Sequence, residues 1–456
     1  MEQNEHEKAV KYSDQKPIIV LGGGISGLST AWFLHKAGIP FRLFEKSSRT
    51  GGKIESEEHE GTILDFGPNS IRDLTGQIIK LVEELSLAEN LIEISEAFKT
   101  RYIVRGGKLH GLSPSIKSML FSKTLSTQGK LRVLKEPFIS SKEVENESVG
   151  SFLERRIGKE AVEYLVDPVF SGIYGGDIHQ MSKNLVLDKL AGYEQEFGSL
   201  FWGAVRSKRE KKSIKPQVIS FRQGIQQLTE EITRRLSDSI IHEEVISVKP
   251  AEEAYVISTH EEVFEASQVI SCIPAYQLSR ILKGFEPELS SALNDVDYVP
   301  MLSTQVIFEK EKIKTPNGFG FLIPRKEKYR LLGAINKSQL FPTLTSPERQ
   351  HFTLMTGGAH DRKILTDSVE EIERQVISEF SSLMNITEQP LFVKSKLWTK
   401  AIPQFELGFS AIKQKIEEAE KQYPGFYIGG NFRWGISVPD CIEGGRKWVN
   451  DLMNRY

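Results

Sequence analysis

The apolar positions of the chain follow two periods. From Pro17 the order is a short apolar run (Ile18 to Leu21), a glycine cluster, apolar positions at helical spacing over about Ser26 to Lys36, Gly38 as a stop, and a second apolar run, FRLFE. Short runs bounded by glycine predict strands and the three-to-four spacing predicts a helix, so this is half of a beta-alpha-beta unit with its second strand in place. A helix rich in Leu, Ile and Glu is expected from about Gly76 to Leu91, and RYIVRGGKLHGL predicts a hairpin turning at Gly106 and Gly107. From about Ser113 to Trp202 short apolar and charged groups alternate at helical spacing, which predicts a mostly helical insert. Strand patterns return in QVISF, EEVISVKP, AYVIST and SQVISCIP, with a helix GIQQLTEEITRRL between the first two. A beta-rich block follows from about Val299 to Lys400, then a helix over Ala411 to Lys421 and the closing segment YPGFYIGGNFRWGISVPDCIEGGRKWVNDLM. The expected fold class is α/β, α+β overall.

Length changes this picture by adding room: 456 residues exceed one ordinary core and suggest roughly two or three domains. With 39% hydrophobic and 26% charged residues and a formal net charge of -2, the composition is that of a globular protein. It gives no global bias toward disorder or nucleic acid, so no nucleic-acid partner is expected. Cys272 and Cys441 lie far apart in no CxxC pair, which argues against a disulfide framework or zinc site and for a reducing, cytoplasmic setting; no metal is expected. The polar leader MEQNEHEKAVKYSDQKP has no apolar signal core and reads as a disordered tail. No apolar run reaches membrane-spanning length, so the chain is expected to be soluble or peripheral on the inner face of the cell membrane.

The chemistry begins at IIVLGGGISGLSTAWFLHKAG. Gly22, Gly24 and Gly27 form GxGxxG between a strand and a helix, and Ile25 and Ser26 within the motif count with them as candidate cofactor contacts. The first glycine permits the turn, the second lets backbone approach a pyrophosphate, and the third lets the helix pack closely, while the helix N-terminus supplies partial positive charge. Glu45, at the end of the second strand, suits a ribose diol and argues against a 2'-phosphate. A second pair, Gly51-Gly52, flanked by Arg49 and Lys53, offers amides and cations to the same diphosphate from the other side. Together, GGGISGLSTAWFLHKAG and FEKSSRTGGKI resemble the N-terminal signature of the FAD-dependent amine-oxidase-like superfamily, which implies FAD as cofactor. At the far end YIGGNFRWGISVPDCIEGG resembles the segment that in these flavoproteins passes the isoalloxazine ring and then starts a helix beneath it. Its bland reading is a C-terminal helix packed on a sheet, and both readings are compatible.

LVDPVFSGIYGGDIHQMS, PQVISFRQGIQQLTEEI, SCIPAYQLSRIL, GFGFLIP, WTKAIPQFELG and SVPDCIEGGR resemble, over nearly the full chain, the protoporphyrinogen and coproporphyrinogen oxidase family of haem biosynthesis. The resemblance implies a Rossmann-like FAD-binding domain (1–85, 213–292, 415–456), a discontinuous antiparallel-sheet substrate domain (86–110, 293–414) and a helical insert (111–212). It implies oxidation of a porphyrinogen by hydride transfer to FAD, with dioxygen reoxidising the flavin and ferrochelatase as a candidate recipient of product. A di-propionate and a tetra-propionate ring both remain open as substrate. Arg101 lies where the family places an arginine that pairs with a propionate, with Arg72 and Arg105 as lesser candidates; the bland reading is a solvated strand arginine. Gly320, Leu322 and Met355 match positions that line the macrocycle, although Leu and Met are equally at home in a core. Gly22, Gly24, Gly27, Glu45, Lys46, Arg49, Gly51, Gly52 and Lys53 carry over to the dinucleotide, and Val245 to the position whose backbone contacts adenine. Gly67, Pro68, Asn69 and Ser70 carry over to the region beside the isoalloxazine, with Trp398, Gly430, Ile436, Ser437 and Val438 completing the ring site. No dedicated general base is expected, and His110 and His179 stay unassigned.

SMLFSKTL with SLFWGAV would form an apolar patch, and the basic run Arg206 to Lys215 faces either anionic lipid or solvent. Two rivals share the superfamily fold: an amine or carotenoid oxidoreductase, and a non-catalytic binder of the GDP-dissociation-inhibitor type.

Overall fold

A computed structural model describes residues 16–113, 122–210 and 216–454. The leader before Lys16, residues 118–121 of the expected apolar patch and residues 211–215 of the basic run lie outside the described residues.

Ile18–Leu21, buried at all positions, is the middle of a five-stranded sheet ordered Ile240–Ile241, Phe41–Phe44, Ile18–Leu21, Gln268–Ser271, Phe426–Ile428, parallel throughout. Such a strand is apolar on both faces because both are covered. Val20 and Ile270 pack under helix Ile25–Lys36 and the last helix, Val438–Met453, through Leu28, Ile442 and Val449. Their neighbours Ile19, Leu21 and Val269 enter a second core with Leu278, Ile416 and Phe426.

The second sheet has seven strands, ordered Phe392–Pro403, Tyr298–Glu309, Arg349–Gly357, Leu331–Asn336, Gly320–Leu322, Arg101–Arg105, Lys108–Leu112. It is antiparallel except for one parallel pair, Gly320–Leu322 with Arg101–Arg105. That pair is where a hairpin from early in the chain joins the late block at its edge. The hairpin turns at Gly106 and Gly107, both at positive φ (58° and 68°). Its outer face is closed by helix Val369–Met384, which the beta-rich expectation missed, through Ile372, Val376 and Phe380 against Val104, Leu302, Phe352 and Leu354.

Between Thr127 and Glu210 the described residues form seven α-helices, packed around Val149, Phe152, Val162 and Met181. The expected helix from Gly76 to Leu91 is shorter, Gln77–Glu84, because Ser86 takes a left-handed φ of 60° and turns the chain toward strand Leu91–Glu93.

Candidate functional site at the junction of the two sheets

The glycine turn sits where strand Ile18–Leu21 hands over to helix Ile25–Lys36. A Cβ on Gly27 would stand 1.8 Å from the Gly22 carbonyl oxygen, so only glycine lets the helix start this close. A Cβ on Gly24 would meet nothing within 4 Å, so the backbone there faces open space. The Gly51–Gly52 turn lies against it: Gly51 N–H donates to the Gly23 carbonyl at 2.7 Å, and Gly24 and Gly51 form a bridge. Glu45 accepts from the Gly23 N–H at 2.7 Å and from the Ser47 N–H at 2.9 Å. Each carboxylate oxygen keeps a lone pair for a further donor.

Two helix N-termini meet at this turn: Ser26 of the first helix lies beside Cys441 in the first turn of the last, whose thiol donates to the Gly435 carbonyl at 3.4 Å. The last helix opens with a capping box between Ser437 and Asp440. Lys53 lies close to Cys441 and donates to the Ala401 carbonyl at 2.5 Å; burial pulls its ammonium down to about 8 from 10.5. The clustering of helix ends and a cation makes this edge a place for an anion.

The inner face of the seven-stranded sheet follows from register. Leu322 pairs with Gly333 and Gly333 with Met355, while Arg101 stands two residues before Ile103, the partner of Leu322. Because side chains alternate, Arg101, Gly320, Leu322 and Met355 share one face, opposite Tyr102, Val104, Phe321 and Leu354, which pack on the outer helix. Insert helix Asp167–Tyr174 closes over Leu322, whose Cδ2 would be 2.8 Å from a Cβ on Gly172, and presents exposed Val169 and Ile173. Arg101 lies 5.3 Å over the Phe319 ring. Burial, and then the like charge of Arg72, lower its proton affinity. Neither guanidinium has a carboxylate partner among the described residues.

The sequence pattern of flavin-containing amine oxidoreductases matches residues 25–453. The chain belongs to that family. This oxidoreductase is 30% identical over 490 residues to the mitochondrial protoporphyrinogen oxidase of Nicotiana tabacum, covering 98% of this chain and 96% of the relative. It is 27% identical over 467 residues to the coproporphyrinogen III oxidase of Bacillus subtilis, covering 96% and 98%. Among solved structures it superposes on a protein of Exiguobacterium sp. 255-15, named provisionally a protoporphyrinogen oxidase, with a TM-score of 0.83, 23% identity and coverage of 98% and 100%. That likeness shows the fold.

The cofactor of the oxidoreductase is FAD. The site fits it: the open space at Gly24 admits a diphosphate, and Glu45 suits a ribose. Arg49 spends its guanidinium on the second glycine turn, donating to the carbonyls of Thr50, Gly52 and Ile54 at 2.7–2.9 Å, so it shapes that turn. Lys46 sits at the surface, 3.9 Å from Glu244. Val245 is buried with Ile19, Leu21 and Phe44, and its loop is tied to the end of the second strand by Glu45 N–H to Ile241 O at 3.0 Å. Gly67 stacks on the Lys53 carbonyl, where a Cβ would be 1.9 Å away, and the Trp398 indole donates to the Phe66 carbonyl at 2.9 Å. Gly430 closes on the Cys272 carbonyl and Ile436 precedes the last helix. Arg105 is committed to the insert, bonded to Glu160 at 2.8 Å and stacked over Tyr164, so it is not a free anchor.

Sequence reading missed the buried polar residues Asp65, Gln305, Lys337 and Thr353, which tie strand Thr62–Asp65 and the segment after it to the seven-stranded sheet. No local pattern marked them: Thr304 between Ser303 and Gln305, and Gln350 beside His351, break any alternation of polar with apolar positions. Burial holds His351 neutral, with Lys337 adding to the effect, and pushes its pKa down to about 3.

Proposed function

We propose that this flavin-containing amine oxidoreductase oxidises a porphyrinogen, protoporphyrinogen or coproporphyrinogen, using dioxygen. The observation that carries the reading is the pair of guanidiniums, Arg101 and Arg72, without carboxylate partners among the described residues, with Arg101 on the sheet face that Leu322 and Met355 share. A porphyrinogen is a large apolar ring edged with carboxylates, and a planar guanidinium meets a carboxylate in two parallel hydrogen bonds. The names of the relatives agree with this chemistry. Bound at the junction, FAD supplies a two-electron acceptor that dioxygen reoxidises. In this reading Leu322, Met355 and the insert helix hold the puckered macrocycle and exclude water, while Arg101 and Arg72 fix its rotation through the propionates. The N-terminus of helix Val438–Met453 would favour negative charge on a flavin held at the junction. The division into cofactor domain, substrate domain and insert belongs to the same proposal.

The test is steady-state porphyrin fluorescence with protoporphyrinogen and coproporphyrinogen under air, against putrescine as an amine control. Porphyrin formation from either ring, faster than spontaneous oxidation, supports the reading, and the faster ring names the substrate. Turnover of the amine with neither ring oxidised overturns it.

The reading extends to the membrane. Among the described residues no helix is long and apolar enough to cross a bilayer. Leu131, Leu134, Phe138, Phe201 and Trp202 are nevertheless exposed in the helical segment, with Lys130, Lys135 and Arg206 close to them in the chain. Apolar groups edged with cations suit an anionic leaflet, at about 1 kcal/mol per cation near the surface. From there product would pass to ferrochelatase. Co-sedimentation with phosphatidylserine vesicles, lost in Phe138→Ser with Trp202→Ser, is the expected result; equal sedimentation of the variant contradicts it.

A further inference from the structure

Strand Thr62–Asp65 leads into residues 66–70, and the seven-stranded sheet, with the helix Lys337–Leu340 that follows its strand Leu331–Asn336, holds Asp65 and these residues at four points. Gln305 Nε2 donates to the Asp65 carbonyl at 2.9 Å, the Trp398 indole to the Phe66 carbonyl at 2.9 Å, Lys337 Nζ to the Asn69 carbonyl at 3.0 Å, and Thr353 Oγ1 to Asn69 Oδ1 at 3.1 Å. Lys337 also donates to Asp65 Oδ2 at 2.8 Å, and both side chains are almost wholly buried, at 0% and 1%. The other Asp65 oxygen accepts from Ser56 Oγ at 2.6 Å and the Ile225 N–H at 3.1 Å. A buried ion pair adds little to stability over an apolar pair of the same shape, yet it fixes geometry tightly. Here the fixed geometry is that of a segment stacked, through Gly67, on the Lys53 end of the second glycine turn.

We propose that Lys337 is a positioning residue for the flavin: anchored by Asp65, it holds the Asn69 backbone, so that the substrate sheet sets where residues 67–70 meet the ring. This rests on the reading that residues 67–70 lie beside the isoalloxazine.

The experiment compares the full-length wild type, Lys337→Met, Lys337→Met with Asp65→Asn, and Thr353→Val. It reads the melting temperature of the cofactor-free protein, the Kd for FAD by flavin fluorescence, and the midpoint potential of the bound flavin. Lys337→Met alone strands a buried carboxylate and melts early. The double variant regains the melting temperature but binds FAD about tenfold more weakly, because the Asn69 carbonyl stays unheld. Thr353→Val, which involves no charge, binds about threefold more weakly. It also changes the affinity ratio for oxidised and reduced FAD about threefold, which the potential reads as about 15 mV. Wild-type Kd and potential in Thr353→Val, or in a folded double variant, overturn the proposal while the flavin reading stands. A wild type that takes up no FAD overturns both.

Discussion

In the proposed site the two sheets contribute by opposite means. At the parallel sheet the work is done by backbone within one contiguous stretch: Gly22 to Gly27, closed by Gly51 N–H on the Gly23 carbonyl. At the seven-stranded sheet it is done by side chains gathered from distant strands, with Arg101, Leu322, Met355 and Trp398 brought to one face only by pairing and pleat. A site of amides is rigid and tolerant of surrounding sequence, whereas a site of alternating side chains is retuned one residue at a time. This suits a family in which one cofactor serves many substrates.

Breaking the backbone half has the largest expected effect. Gly27→Ala places a methyl 1.8 Å from the Gly22 oxygen, so the helix must shift. The expected result is protein that purifies with a tenth or less of the wild-type flavin, read from its visible absorbance; a yellow, fully loaded variant contradicts the assignment. Changes on the inner face act differently. Leu322→Ala and Met355→Ala each remove part of an apolar wall, with an expected loss of about 10-fold in kcat/KM and unchanged FAD content. Loss of FAD with intact kinetics per flavin contradicts their placement.

The smallest effect is a pH slope at the point where the halves meet. Lys53 releases its proton at about 8 when folded, against 10.5 when exposed. The unfolded chain thus binds more protons between those values, and the cofactor-free protein gains stability as pH rises through that window. An anionic diphosphate beside Lys53 reverses the preference, so FAD affinity falls above about pH 8. Thermal melts and FAD titrations across this range check both slopes, and Lys53→Met flattens them. Slopes unchanged in that variant assign them to another group.

The same contrast explains what could be read from sequence. GxGxxG, Glu45 and the Gly51-Gly52 turn are local in the chain and local in space, and they land together. Arg101, Leu322 and Met355 were legible only through family resemblance, because their meeting depends on register across strands whose spacing in sequence carries no such information. Helix Val369–Met384 was hidden within a beta-rich reading, although Ile372, Val376, Phe380 and Leu383 keep a helical period behind the Ser368 cap. The Lys337–Asp65 pair spans 272 positions, and a lone lysine in AINKSQL reads as a surface charge. Burying it required partners that no local pattern announces.

The central claim is that the guanidinium pair at the edge of the inner face receives a ring carboxylate. It is tested most directly by anaerobic mixing of the wild type, Arg101→Ala and Arg72→Ala with rising coproporphyrinogen or protoporphyrinogen, following loss of the oxidised flavin band. The account predicts full bleaching in all three at saturation. The half-saturating concentration should rise roughly tenfold to hundredfold in Arg101→Ala, and less in Arg72→Ala, as expected for losing hydrogen bonds to a charged group. Identical concentration dependence in the wild type and Arg101→Ala, or no bleaching by either porphyrinogen, would contradict it.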